Sequence, residues 1–150
     1  MPRTINEWPS RIKAVEREFE SVRLAVDRLL ADSSRDSAIL EPGVELRDVR
    51  QASNHLSGTY IIRLFAEFET GLREYWLATR KTKPPTRTRD LLDGIAATRR
   101  IPFDRLENAH KVREHRNNLI HERNEPFAPI SVAVARSYLS GFLGRLPLYW

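Results

Sequence analysis

The sequence predicts an all-α fold, an antiparallel helical bundle of four main helices plus one short helix. Three observations carry this. Apolar residues recur at spacings of three, four and seven along most of the 150-residue chain, the period of a helix face. No stretch alternates apolar and polar residues as a half-buried strand does. Prolines fall at or between the ends of the periodic stretches, where helices start and stop.

Pro9 and Ser10 open a first helix to about Ala31, with Ile12, Val15, Phe19, Val22, Val26, Leu29 and Leu30 on one stripe. Asp32, Ser33 and Ser34 close it. Residues 33–47 lack periodicity, and Pro42-Gly43 reads as a turn. A second helix spans about Val49 to Arg80. Its apolar set (Leu56, Tyr60, Ile61, Leu64, Phe65, Phe68, Leu72, Tyr75, Trp76, Leu77) is too wide for one stripe, so it lies centrally. Gly58 and Gly71 inside it each cost about 1 kcal/mol against alanine, and point to close helix–helix approach.

The tract RKTKPPTRTRD, Arg80 to Asp90, breaks the helix with two prolines. Lys81, Lys83, Arg87 and Arg89 make it either a solvated loop or a phosphate-contacting one. A short helix covers about Arg89 to Thr98. A fourth main stretch runs from Phe103 to about Arg123, with Asp104 as N-cap, Glu107 three residues on, and Leu106, Ala109, Val112, Leu119 and Ile120 facing the core. Pro126 and Pro129 stop it. Ser131 then caps a last helix, Val132 to about Leu146, with Val132, Ala135, Leu139, Phe142 and Leu143 on one face.

The length fits a single domain over 1–150. Hydrophobic residues at 41% and charged residues at 30% are ordinary for a globular chain, so disorder is not expected. The absence of cysteine excludes a disulfide scaffold and a thiolate metal site. No apolar run approaches the roughly 18 residues of a membrane span, and MPRTINEWPSR lacks the apolar core of a secretory signal. A cytoplasmic protein that does not engage a membrane is expected. The net charge of +5 favours an acidic partner: nucleic acid, a membrane surface or an acidic protein.

Chemistry concentrates in REHRNNLIHER, Arg113 to Arg123. Arg116 lies one helical turn from both Val112 and Ile120, hence on or beside the apolar stripe. A charge there needs a partner: Glu67 or Glu69 of the second helix, or an anion brought by a ligand. Arg113, Asn117 and His121 share the neighbouring ridge. Such a patch suits a site that grips an anion and moves a proton. Metal ligation fits poorly. His110, His115 and His121 are not at the three- or four-residue spacing of a helical metal pair, and HERNE is not H-E-x-x-H. No phosphate-binding glycine loop occurs.

RNNLIH, Arg116 to His121, resembles the R-x4-6-H motif of the HEPN family (higher eukaryotes and prokaryotes nucleotide-binding). Arg116, Asn117 and His121 take the places of its Arg, its following polar residue and its His. AEFETGLREYW, Ala66 to Trp76, is similar to the long helix that packs beside the motif helix in prokaryotic members. The resemblance runs from about residue 12 to 146. It implies a metal-independent endoribonuclease without cofactor, a toxin or antiphage defence effector. Such enzymes work as homodimers with a shared active site, and an antitoxin protein is a further implied partner. On this reading His121 is the acid–base group, Arg116 holds the scissile phosphate, Asn117 orients the His or hydrogen-bonds a phosphate oxygen, and Glu69 fixes Arg116 or shares proton transfer. Arg113, Lys81, Lys83, Arg87 and Arg89 are the expected RNA-binding cations. Some HEPN toxins carry a modifiable tyrosine two residues after the motif His, where this chain has Arg123. The alternative implication is a non-catalytic HEPN module binding RNA, nucleotide or a protein.

Overall fold

A computed structural model describes residues 7–121 and 128–150. The expected end of the fourth stretch, Arg123 and Pro126 lie outside the described residues. The described chain is all-α: α1 (Glu7–Arg35), a 3-10 turn (Ser37–Ile39), α2 (Leu46–Arg80), α3 (Thr88–Arg99), α4 (Phe103–His121) and α5 (Val132–Leu143).

The long pair α1 and α2 is antiparallel. Trp8 meets Gly71 at one end, and Phe19 meets Tyr60, with ring centroids 5.5 Å apart, further along. Arg116 of α4 meets Glu69 and Leu119 meets Gly58, so α4 runs against α2. Phe142 of α5 sits edge-on to Phe68 of α2, with centroids 5.6 Å apart, and closes the fourth side. The core between these helices includes Ile12, Leu64, Phe65, Phe68, Leu72, Val112, Leu139 and Phe142. The two glycines of α2 mark close approaches. A Cβ at Gly71 would lie 2.8 Å from the Trp8 ring, and one at Gly58 would lie 3.2 Å from a Leu119 methyl.

Five expectations need correction. α1 continues past Ala31 to Arg35, because the Ser33 and Ser34 hydroxyls donate back to the Leu29 and Leu30 carbonyls at 2.6 and 2.7 Å. Such bonds let serine sit inside a helix. Asp104 is not the N-cap: α4 begins at Phe103, and the Pro102 carbonyl accepts from Arg105 and Leu106. Ile120 is 47% exposed and does not face the core, while His115 is buried in its stead. α5 stops at Leu143, earlier than Leu146, where Gly144 caps it. Finally, α3 is not antiparallel to α2. Thr88 lies beside Glu69, Gly94 beside Trp76 and Thr98 beside Arg80, so α3 runs in the same direction as the end of α2. The Ser131 cap is as expected, its Oγ accepting from the Val134 N–H at 3.1 Å.

Burial lowers the His115 pKa below its ordinary 6.5, and a backbone hydrogen bond with Ala128 opposes this only in part. The unfolded chain therefore takes up the extra proton first as pH falls. Stability from neutral His115 is complete above about 6.5 and declines as pH drops below it. The melting temperature of wild type should fall more between pH 7.5 and 5.5 than that of His115→Gln; equal falls would rule His115 out as the cause. Gly71→Ala should cost about 1–2 kcal/mol in urea denaturation, because the ring centre of Trp8 cannot yield. Gly58→Ala should be near neutral, since a Leu119 methyl can move and helix propensity improves by about 1 kcal/mol.

Candidate functional site

The residues of RNNLIH occupy the last turns of α4, against the middle of α2. Arg116 is half-buried, as its place beside the apolar stripe requires. Its guanidinium carbon stands 4.8 Å from the Phe65 ring centroid, and its Nη2 donates to Glu69 Oε2 at 3.1 Å. Of the two expected partners, Glu69 takes this place. Glu67 instead faces Arg11 across α1 at 3.6 Å.

The Glu69 carboxylate does more than hold Arg116. Its Oε1 accepts from Arg73 Nε at 3.1 Å and Nη2 at 2.7 Å, and from the Thr88 hydroxyl at 2.9 Å. Arg73 in turn donates to the carbonyls of Pro85 (2.8 Å) and Thr86 (3.1 Å). One carboxylate thus joins α2, α4, the start of α3 and, through Arg73, the proline tract. Side chains of Arg116, Glu69 and Arg73 are 20%, 21% and 30% exposed, so these bonds operate partly shielded from water. Arg73 and Thr88 were missed from sequence. The i,i+4 spacing of Glu69 and Arg73 was a usable signal, whereas nothing local shows that Thr88 returns to this level of α2.

His121 is not drawn into the cluster. It is exposed at the last position of α4. Five residues separate it from Arg116, which is about 7.5 Å along the helix and about 140° around it. Among the described residues its imidazole makes no side-chain hydrogen bond. Asn117 is half-buried between the two. Of the expected RNA-binding cations, Lys81, Lys83 and Arg87 are exposed on the proline tract. Arg89 belongs to α3 and faces Asp93 at 3.9 Å. Arg113 is engaged locally: its Nε donates to His110 Nδ1 at 3.2 Å and its Nη2 lies 3.2 Å from Glu114. His110 Nε2 is 2.7 Å from Asp93. With Nδ1 accepting, Nε2 carries the proton towards Asp93, so this trio pins α3 to α4 and has no ring nitrogen left for a substrate.

A cavity of about 410 Å³ between α4 and the start of α5, lined by Lys111, His115, Asn118, Val134 and Tyr138 among others, opens on a different face of α4 from Arg116. Among the described residues no group of three or more His, Cys, Asp or Glu is placed to hold a metal ion. No helix among them is long and apolar enough to cross a membrane.

The fold and the cluster together define an all-α domain with a fixed, half-buried arginine beside a basic, proline-bearing tract. No protein-family model, curated protein or solved structure matches the chain.

Glu69→Ala should lower stability by about 1–3 kcal/mol, less than a fully buried pair would lose, because it leaves two neighbouring guanidiniums without their shared anion. Glu67→Ala removes only an exposed pair and should change stability by under about 0.5 kcal/mol. Chemical denaturation of both variants checks the contrast.

Proposed function

We propose that this chain is a metal-independent endoribonuclease of the HEPN type, acting as a toxin or antiphage defence effector in a cytoplasmic setting. The observation that carries the reading is the state of Arg116. It stands in the motif position, fixed by Glu69 and Phe65, yet uses one N–H among the described residues and keeps others for an anion. A fixed guanidinium fork that is already oriented costs little reorganisation when charge builds on a phosphate.

The chemistry needs no metal, because RNA carries its own nucleophile. His121 takes the proton from a 2′-OH, the 2′-oxygen forms a bond to the adjacent phosphorus, and the bond from phosphorus to the 5′-oxygen breaks. The products are a 2′,3′-cyclic phosphate and a 5′-OH, the latter receiving a proton from an acid. Arg116 stabilises the phosphate oxygens as charge rises, and Asn117 orients the imidazole or a phosphate oxygen. The angle of about 140° between Arg116 and His121 makes it hard for one chain to supply both on a single phosphate. A two-fold homodimer, with α4 of each copy facing a shared cleft, supplies a second set. An antitoxin covering that cleft would silence the enzyme.

Purified protein should cut single-stranded RNA in EDTA. Arg116→Ala should reduce kcat/KM by about 100-fold or more, and His121→Ala should abolish cleavage. Cleavage that EDTA blocks, or that survives in His121→Ala, would sink the mechanism. RNA binding without cleavage in wild type would favour a non-catalytic binding module.

A further inference from the structure

The proline tract is not a loose loop. Residues 81–87 leave the end of α2 and bring the chain back to Thr88, beside Glu69. That return covers eleven residues of α2, about 16 Å at 1.5 Å per residue. The eight steps from Arg80 to Thr88 reach about 25 Å when extended, so the return takes up much of the tract's length.

Its stiffness has local causes. Pro84 and Pro85 fix their own φ angles, and Lys83, preceding a proline, is restricted to extended conformations. Lys81 begins the tract in the left-handed region, with φ of 53°. Arg73 ties down the far end through the Pro85 and Thr86 carbonyls, and Thr88 ties it to Glu69. Lys81, Lys83 and Arg87 are exposed on this arm, and no ion pair or side-chain hydrogen bond joins them to another described residue. Arg80, by contrast, is consumed structurally: it stacks on Trp76 and donates to Gly94 and Thr98. The arm ends at the carboxylate that holds Arg116. Glu69 at that end is shared by two arginines.

We propose that Lys81, Lys83 and Arg87, on an arm clamped by Arg73, form with Arg116 one strip that takes the phosphodiester backbone of a single RNA strand. This deepens the ribonuclease reading by supplying the path of its substrate. Arg73 is a positioning residue. Its donors are spread over Glu69 and two carbonyls, so it acts on the strand through the arm. A lysine keeps the charge but cannot span those three acceptors from one nitrogen.

The test uses a short single-stranded oligodeoxynucleotide in EDTA. It has the same backbone charge and no 2′-OH, so it cannot be cut by the proposed route, and its binding is independent of catalysis. Four phosphate contacts predict a slope of log affinity against log salt of about −3, at about −0.7 per contact for a single strand. The triple variant Lys81→Ala, Lys83→Ala, Arg87→Ala, whose changes are all on the surface, should bind about tenfold or more weakly, with a slope shallower by about 2. Arg73→Lys should weaken binding about fivefold, as Arg73→Gln does, through loss of the preorganised arm. Trypsin should also cut after Lys81 faster in both Arg73 variants than in wild type.

An unchanged affinity in the triple variant overturns the strip. Wild-type affinity in Arg73→Lys overturns the clamp. Equal binding of an acidic peptide or of anionic lipid vesicles at the same salt overturns the assignment to a nucleic-acid strand. Oligonucleotide binding that follows these expectations, in a protein that never cleaves RNA, leaves the strip standing and removes only the ribonuclease reading.

Discussion

The Glu69 carboxylate is the constraint on which the rest of the site depends. Two guanidiniums converge on it, one from its own helix and one from α4, and a hydroxyl from α3 completes the set. Two cations this close would repel each other in a partly shielded place without an anion between them. The carboxylate turns that repulsion into a joint. It aligns Arg116 on the Phe65 ring and holds the start of α3 level with the middle of α2. The resulting group keeps a net positive charge, so it can still draw an anion.

That joint also explains the one departure from a plain antiparallel bundle. A short turn after α2 would send α3 back against it. Here the arm brings the chain back first, and α3 then travels with α2, packing Gly94 against Trp76. The arrangement brings the end of the arm to the carboxylate that holds Arg116. The same α4 carries the Asp93–His110–Arg113 contacts, which fix it to α3 one to two turns before Arg116. α4 is thus held at two levels, while His121 at its end stays exposed.

Much of the fold was legible because its signals are local. Helix periodicity located the helices, the Ser131 cap located the start of α5, and Gly71 announced the approach of a neighbour, Trp8. Trp8 itself was not placed in the core, since it precedes the expected start of α1. The end of α1 differs from its spacing because side chains bond to backbone there: Ser33 and Ser34 extend the helix that they are suited to end. In the site, helical phase placed Arg116 at the core edge and left Glu67, Glu69 or a ligand's anion as its partner. The choice between them depends on the register of α2 against α1 and α4, a tertiary property. Thr88 was invisible for the same reason, because its importance comes from where the arm returns, whereas the Glu69–Arg73 pair has a local i,i+4 signal.

The central claim is that Glu69 unites Arg73 and Arg116. Nitrogen-15 spectra of the arginine side chains, recorded on wild type and on Glu69→Gln, test it directly. Gln keeps the shape of the side chain and removes its charge. The account predicts slowly exchanging guanidinium signals for both Arg73 and Arg116 in wild type, and loss of both together in Glu69→Gln, with the exposed Arg63–Glu18 pair unaffected. Signals from Arg73 and Arg116 that are unchanged by the substitution, or that respond separately, would contradict it.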